Sequence, residues 1–153
     1  MILILAPGPL KYPFIKEGLD YFLTRISPWV KIEARLPRVR TSFENKEARL
    51  RAEEETLRRH LPREGYLILL DERGKGLSTK EFSSLLQEKL SLHRNLTFLV
   101  GGPEGVSPLL KEEAHLRLSL SPLTLNHEIA LLILAEALYR GISLIKGHPY
   151  HRE

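Results

Sequence analysis

Apolar and polar positions along the chain alternate between two periods. "MILILA" (1–6) is a short apolar run closed by Pro7-Gly8-Pro9, and it predicts a buried strand. Over 12–26, "YPFIKEGLDYFLTRI" places Phe14, Gly18, Tyr21, Phe22 and Arg25 at helical spacing, with Leu19 and Ile26 broadening the apolar face. "VKIEARL" (30–36) alternates as a half-buried strand. "EARLRAEEETLRRHL" (47–61) is an amphipathic helix with i,i+4 pairs at Glu47–Arg51, Glu54–Arg58 and Glu55–Arg59. "GYLILLDERGKG" (65–76) is a buried strand ending on charge. "STKE" (78–81) carries the capping-box pattern and opens a helix to about Leu90. "NLTFLV" (95–100) is a further buried strand that runs straight into "GGPEG" (101–105). Ser107 and Pro108 supply the N-cap and first position of a short helix. "LRLSLS" (116–121) alternates as a strand, and Asn126 is positioned to cap an apolar helix over 127–145.

The order βαβαβαβαβα predicts an α/β fold: a mostly parallel sheet flanked by helices on both faces. With 153 residues, 42% of them apolar, residues 1–153 are read as a single domain. Ligands of such sheets bind beyond the carboxyl ends of the strands. Segments 70–76, 101–105 and 120–126 lie at such ends, so the site is expected there.

Composition narrows the chemistry. The absence of cysteine excludes disulfides, Cys-ligated zinc, Fe–S clusters and thiol nucleophiles, and fits a reducing, cytoplasmic setting. The first apolar run has no basic start and no small-residue cleavage site, so it reads as a strand and not as a signal peptide. The longest apolar stretch, 129–145, contains Glu136 and Arg140 and is too short and too charged for a membrane span; no membrane partner is expected. A net charge of +4 favours a polyanion such as RNA.

Four stretches offer chemistry. In "LVGGPEG", Gly101 and Gly102 let backbone approach a ligand closely, ahead of a helix N-terminus with free N–H groups; the same residues also suit an ordinary strand-to-helix turn. "LSLSPLTLNH" (118–127) offers the hydroxyls of Ser119, Ser121 and Thr124 between Leu120, Leu123 and Leu125, a setting for a flat heterocycle or simply the exit of a strand. Glu136 and Arg140, four apart in an apolar helix, read as a structural ion pair, and a helix apolar on nearly all sides points to a partner subunit. Finally, "KGHPYHRE" concentrates His148, Tyr150, His151 and Arg152 in a tail. His148-x-x-His151 spans a proline and has no third ligand nearby, so no metal is expected. Imidazoles suit proton transfer, Tyr150 stacking on a base, and Arg152 a phosphate.

Together, "LDERGKGLST", "GGPEGVSP", "LSLSPLTLNHEIALLILAEALYR" and "HPYHRE" resemble the RlmH family of SPOUT-class methyltransferases, densest from 66 to 153. The resemblance implies an α/β knot of SPOUT type, in which a C-terminal trefoil knot threads the chain through a loop. It implies S-adenosylmethionine (S-adenosyl-L-methionine) as cofactor, a homodimer, and methylation of N3 of a pseudouridine in 23S rRNA, on the assembled ribosome. By position, Leu70 matches the residue beside the cofactor and Gly101 the glycine whose backbone meets it. Leu120, Ser121, Pro122, Leu123, Thr124 and Leu125 match the loop that wraps the adenine. His148, Tyr150, His151 and Arg152 match the tail that closes the active site, with Arg140 and Glu104 close to it.

Two departures stand out. The family's "LPH" before the last helix is Leu125-Asn126-His127 here, and a capping Asn does the same work. The early "A-V-G-K" is Ala6-Pro7-Gly8-Pro9, with Lys11 displaced, which leaves the first βα loop without an assigned role. In the mechanism expected from the resemblance, His148 or His151 accepts the N3 proton directly or through water, and Arg152 or Arg140 offsets the imidate charge. Arg35, Arg38 and Arg40, and Arg73 with Lys75, are the candidates for RNA contact.

Overall fold

The structure is a computed structural model and describes residues 1–39 and 45–152. Five strands alternate with five helices: β1 (Ile2–Leu5), α1 (Pro13–Ile26), β2 (Ile32–Arg35), α2 (Lys46–His60), β3 (Tyr66–Gly76), α3 (Thr79–Leu92), β4 (Leu96–Leu99), α4 (Pro108–Glu113), β5 (Leu116–Ser119) and α5 (His127–Ile145). The strands form one sheet in the order β2-β1-β4-β3-β5, parallel throughout. The α/β architecture read from the alternating pattern is therefore the one observed.

Side-chain alternation in continuous apolar strands explains the layering. Ile2 and Ile4 turn to one face, where α1, α3 and α5 pack around Leu19, Ile26, Phe82, Leu86, Leu134 and Leu138. Leu3 and Leu5 turn to the other, against Leu57 of α2 and Leu110 of α4. All four strand residues are fully buried.

Local signals set the element ends. Ser78 and Glu81 complete a capping box at α3. Ser107 caps α4 with Pro108 at its start, and the Asn126 side chain accepts from Glu128 N and Ile129 N at the start of α5. Of the pairs expected on α2, Glu54–Arg58 and Glu55–Arg59 form, both at 3.1 Å. Glu47–Arg51 is absent from the ion pairs among the described residues. α1 has no side-chain cap of its own. Its start is held instead by the buried Glu128 of α5, which accepts from Lys11 N at 2.8 Å and Tyr12 N at 3.1 Å.

Two elements differ from the sequence pattern. Leu70 and Lys75 of β3 both pair with Leu118, so residues 71–74 leave the ladder as a bulge before the strand resumes. A Cβ on Gly74 would lie 2.6 Å from the Arg117 carbonyl, so only glycine lets the bulge return to the sheet. Second, within one chain α5 is buried at Glu128, Leu131, Leu134, Ala135, Leu138, Tyr139, Gly141, Ile142 and Ser143, which leaves one side of the helix uncovered. Because α1 and α3 cover one side, Ile129, Ile133, Glu136, Ala137 and Arg140 remain half-buried.

Candidate active site

The carboxyl ends of β3, β4 and β5 enclose an open cleft of about 510 Å³. The three segments singled out from the sequence meet in it. Leu70, Arg73, Gly101, Glu104, Leu120, Ser121, Leu123, Thr124 and Leu125 all line it, and Pro122 sits in the same loop outside the lining.

The glycine loop is folded tightly. Gly105 has φ +83°, and its N–H donates to the Gly102 carbonyl at 3.0 Å. A Cβ on Gly101 would lie 2.7 Å from Val106 Cγ2 and 2.8 Å from the Gly105 carbonyl oxygen. Glycine at 101 is thus a packing requirement as well as a means of backbone approach. Glu104, at the rim, is gripped by Arg49 Nη2 at 2.5 Å and Nε at 3.1 Å. That guanidinium holds its carboxyl below the usual carboxylate range.

In loop 120–125 the hydroxyls are structural. Ser119 Oγ donates to the Ser121 carbonyl at 2.9 Å, Ser121 Oγ accepts from Leu123 N at 2.9 Å, and Thr124 Oγ1 donates to Glu72 at 2.7 Å. They brace the loop to itself and to the β3 bulge. What the loop turns to the cleft is mainly leucine, and Leu123 is left 73% exposed. An exposed apolar side chain at a cleft mouth is a ready contact for a ligand's flat face.

Sequence reading missed Asp71 and Glu72, which the bulge moves to the rim, and Lys46, Val106, Lys111 and His127, which also line the cleft. No local signal marks Lys46 or Lys111, because packing of α2 and α4 against the sheet brings them there.

The tail lies elsewhere within this chain. Gly147, at φ +69°, ends α5: its N–H reaches the Leu144 carbonyl and His148 N–H the Ser143 carbonyl, a Schellman turn that sends the chain back along the helix. His148 then packs against Trp29, with ring centroids 5.3 Å apart. Tyr150 packs on Tyr139 at 4.4 Å and under the Arg140 guanidinium at 4.8 Å. Its hydroxyl donates to Glu136 at 3.0 Å. Burial, then that bond, pushes the Tyr150 phenol above its ordinary value. Arg140 pairs with Glu136 at 2.5 Å, which raises its own pKa, and Nη1 meets His151 Nδ1 at 3.1 Å. Arg152 is exposed.

Glu136 and Arg140 line a smaller cavity of about 170 Å³ that shares Leu118 and Leu120 with the cleft. Arg140 thus borders the smaller cavity, while His148, Tyr150, His151 and Arg152 line neither space.

The ring tautomers follow from these partners. An arginine donates only, so His151 Nδ1 accepts; His148 Nδ1 accepts from Tyr150 N at 3.3 Å. Each neutral ring then carries its proton on Nε2.

Of the expected RNA contacts, Arg38, Arg73 and Lys75 are exposed. Arg35 is tied to the His60 carbonyl at 3.0 Å and Glu33 at 2.5 Å. Arg40 lies outside the described residues. Among the described residues no cluster of three metal-ligating side chains occurs, and no helix is long and apolar enough to cross a membrane.

A cleft with leucine walls and close-approach backbone can hold a flat heterocycle. The family described as "Predicted SPOUT methyltransferase" matches residues 1–151. The protein named "Ribosomal RNA large subunit methyltransferase H" of Thermodesulfovibrio yellowstonii is 40% identical over 149 residues, covering 97% of this chain and 96% of its own. Proteins of the same name from Paraburkholderia phymatum and Caldicellulosiruptor saccharolyticus are 36% and 33% identical, covering 97% and 99% of this chain and 97% and 100% of theirs. The chain belongs to the SPOUT methyltransferase family.

Proposed function

We propose that this protein transfers a methyl group from S-adenosylmethionine to N3 of a pseudouridine in 23S rRNA of the large ribosomal subunit. It acts as a single-domain, cytoplasmic homodimer on the assembled ribosome. The observation that carries the reading is the cleft between loops 101–106 and 120–125 in a chain of this family. The threaded, knotted C-terminal arrangement belongs to the same proposal.

The cofactor suits the residues present. The volume lies within the range of small-molecule sites. Leu70, Leu120, Leu123 and Leu125 supply apolar surface for the adenine, and the Gly101 backbone can approach it without a Cβ in the way. The rim carries both signs, Asp71, Glu72 and Glu104 with Lys46, Arg73 and Lys111, and Glu104 is already paired with Arg49, so the apolar walls and the backbone carry the fit. When bound, S-adenosylmethionine supplies a methyl group on a positively charged sulfur.

The protein's own tasks are orientation, proton removal and charge stabilisation. Holding nucleotide and methyl donor in line is worth up to about 7–11 kcal/mol in ideal cases. The N3–H of pseudouridine is a weak imide acid, and its loss leaves negative charge on the flanking oxygens. With Nδ1 engaged, His148 and His151 present Nε2–H donors suited to those oxygens. His151 becomes a proton acceptor once Arg140 leaves its Nδ1 for a substrate oxygen. Arg140 and Arg152 then offset the developing charge.

The tail of one chain does not line its own cleft, so in this reading each site is closed by the tail of the partner subunit. The half-buried face of α5 and the exposed Phe14 and Tyr21 of α1 support such an interface. Arg73, Lys75 and Arg38 contribute phosphate contacts.

Mass spectrometry of rRNA from cells with and without the gene tests the reading: loss of one N3-methylpseudouridine is expected, and an unchanged methylation pattern overturns it. In vitro, the 70S particle should be methylated faster than naked 23S rRNA, because a surface of only +4 net charge binds free RNA weakly.

A further inference from the structure

α2 contributes a single fully buried apolar residue, Leu57. Much of its remaining grip is polar and goes to one loop. Arg49 holds Glu104, Glu54 accepts from Ser107 Oγ, and between them Glu53 Oε1 accepts from Gly102 N at 3.3 Å. Positions 49 and 53 are one helical turn apart, so they share a face.

These ties differ in consequence. Arg49–Glu104 is an exposed pair, a kind that contributes little. Ser107 also accepts from Leu110 N, so its role is the start of α4. Gly102 is different: it lines the cleft and is buried, so its N–H needs a partner inside the protein. Glu53 supplies one. A Cβ on Gly102 would lie 3.1 Å from Glu53 Oε2 and 3.4 Å from Pro7 Cγ. The glycine is therefore wedged between the carboxylate and the connection from β1 to α1. A loop with glycines at 101, 102 and 105 has little stiffness of its own.

We propose that Glu53 is a positioning residue for the cleft: by holding the Gly102 N–H it sets the conformation in which loop 101–105 meets the ligand. Burial pushes the Glu53 carboxyl up, against the pull of the Gly102 N–H, and nearby Glu104 pushes the same way as burial. A group kept in an unfavourable place for its charge is more readily explained by the bond it makes there than by fold stability. The proposal rests on the reading that this cleft binds S-adenosylmethionine.

The test compares wild type, Glu53→Ala and Glu53→Gln. The readouts are calorimetric titration with S-adenosylmethionine, methyl transfer to 70S particles, thermal melting, and hydrogen exchange of the Gly102 amide by NMR. In wild type the Gly102 amide should be protected. In Glu53→Ala that protection should fall, and Kd and KM for S-adenosylmethionine should rise roughly tenfold. The rate at saturating cofactor should be largely retained. A purely structural defect would lower kcat and melting temperature together. Glu53→Gln keeps an acceptor oxygen and should recover most of the affinity.

An unprotected Gly102 amide in wild type, wild-type affinity in Glu53→Ala, or equal loss in both variants would each overturn the proposal. Should Glu53→Ala not fold, wild type and Glu53→Gln decide it. If wild type binds no S-adenosylmethionine, the reading of the cleft fails, while the Gly102 amide still reports on Glu53.

Discussion

The Tyr150 hydroxyl donates to Glu136 Oε1 at 3.0 Å, and the same oxygen takes the Arg140 guanidinium at 2.5 Å. One carboxylate on α5 therefore fixes both a tail residue and the arginine that touches His151. Glu136 and Arg140 of α5 and Tyr150 and His151 of the tail become one network through it.

This network predicts an alkaline weakness. The Tyr150 pKa is raised in the folded protein by burial and by the bond to Glu136. The folded state thus keeps the proton longer than the unfolded chain, and its contribution is complete below the ordinary phenol value of about 10 and lost as pH rises through the raised value. Hydrogen exchange of residues 148–151 should accelerate above that pH in wild type. Tyr150→Phe should show faster exchange at neutral pH and no further alkaline step from this group.

Deleting residues from 148 onward should abolish methyl transfer while leaving the fold and most S-adenosylmethionine affinity. The cleft lining contains none of these residues, so calorimetry should report binding close to wild type. Full methylation by the truncated protein would remove the tail from the mechanism.

Gly101→Ala should act on the opposite half of the reaction. Its Cβ would fall 2.8 Å from the Gly105 carbonyl oxygen, forcing the loop to shift. Displacing a binding loop by a fraction of an ångström should weaken cofactor affinity roughly tenfold or more, with melting temperature changed far less.

Glu128→Ala should lower stability by about 1–3 kcal/mol, because two backbone N–H groups at the start of α1 lose their shared acceptor. Denaturant unfolding measures it. Glu128→Gln keeps one acceptor oxygen and should fall between the two.

Arg73→Ala should raise KM for ribosomal particles a few-fold and reduce the salt dependence of binding by about one unit of slope, with unchanged S-adenosylmethionine affinity. A change in cofactor Kd instead would place Arg73 on the methyl donor.

Much of the fold was legible because its signals are local. A run such as Ile2–Leu5 can satisfy its side chains only between two layers, Ser78 with Glu81 can cap only a helix start, and Asn126 marks the first turn of α5. The cleft's position was legible for a related reason: strand-end loops of a parallel sheet converge, so segments near 70, 101 and 120 meet whatever their composition.

The roles within those loops were decided by tertiary contacts. Ser119, Ser121 and Thr124 look like ligand hydroxyls until Glu72 and the loop's own backbone are seen to occupy them. Asp71 and Glu72 reach the rim because β3 bulges over Leu118, a register event between strands far apart in sequence. Glu53 and Gly102 stand 49 positions apart, and only the docking of α2 on the sheet makes them partners. By itself, then, the amino-acid sequence determined what each stretch becomes, since backbone periodicity and capping act over a few residues. Which side chains are left free to do chemistry was decided by the folded structure, because hydrogen-bond partners are assigned by distance in space.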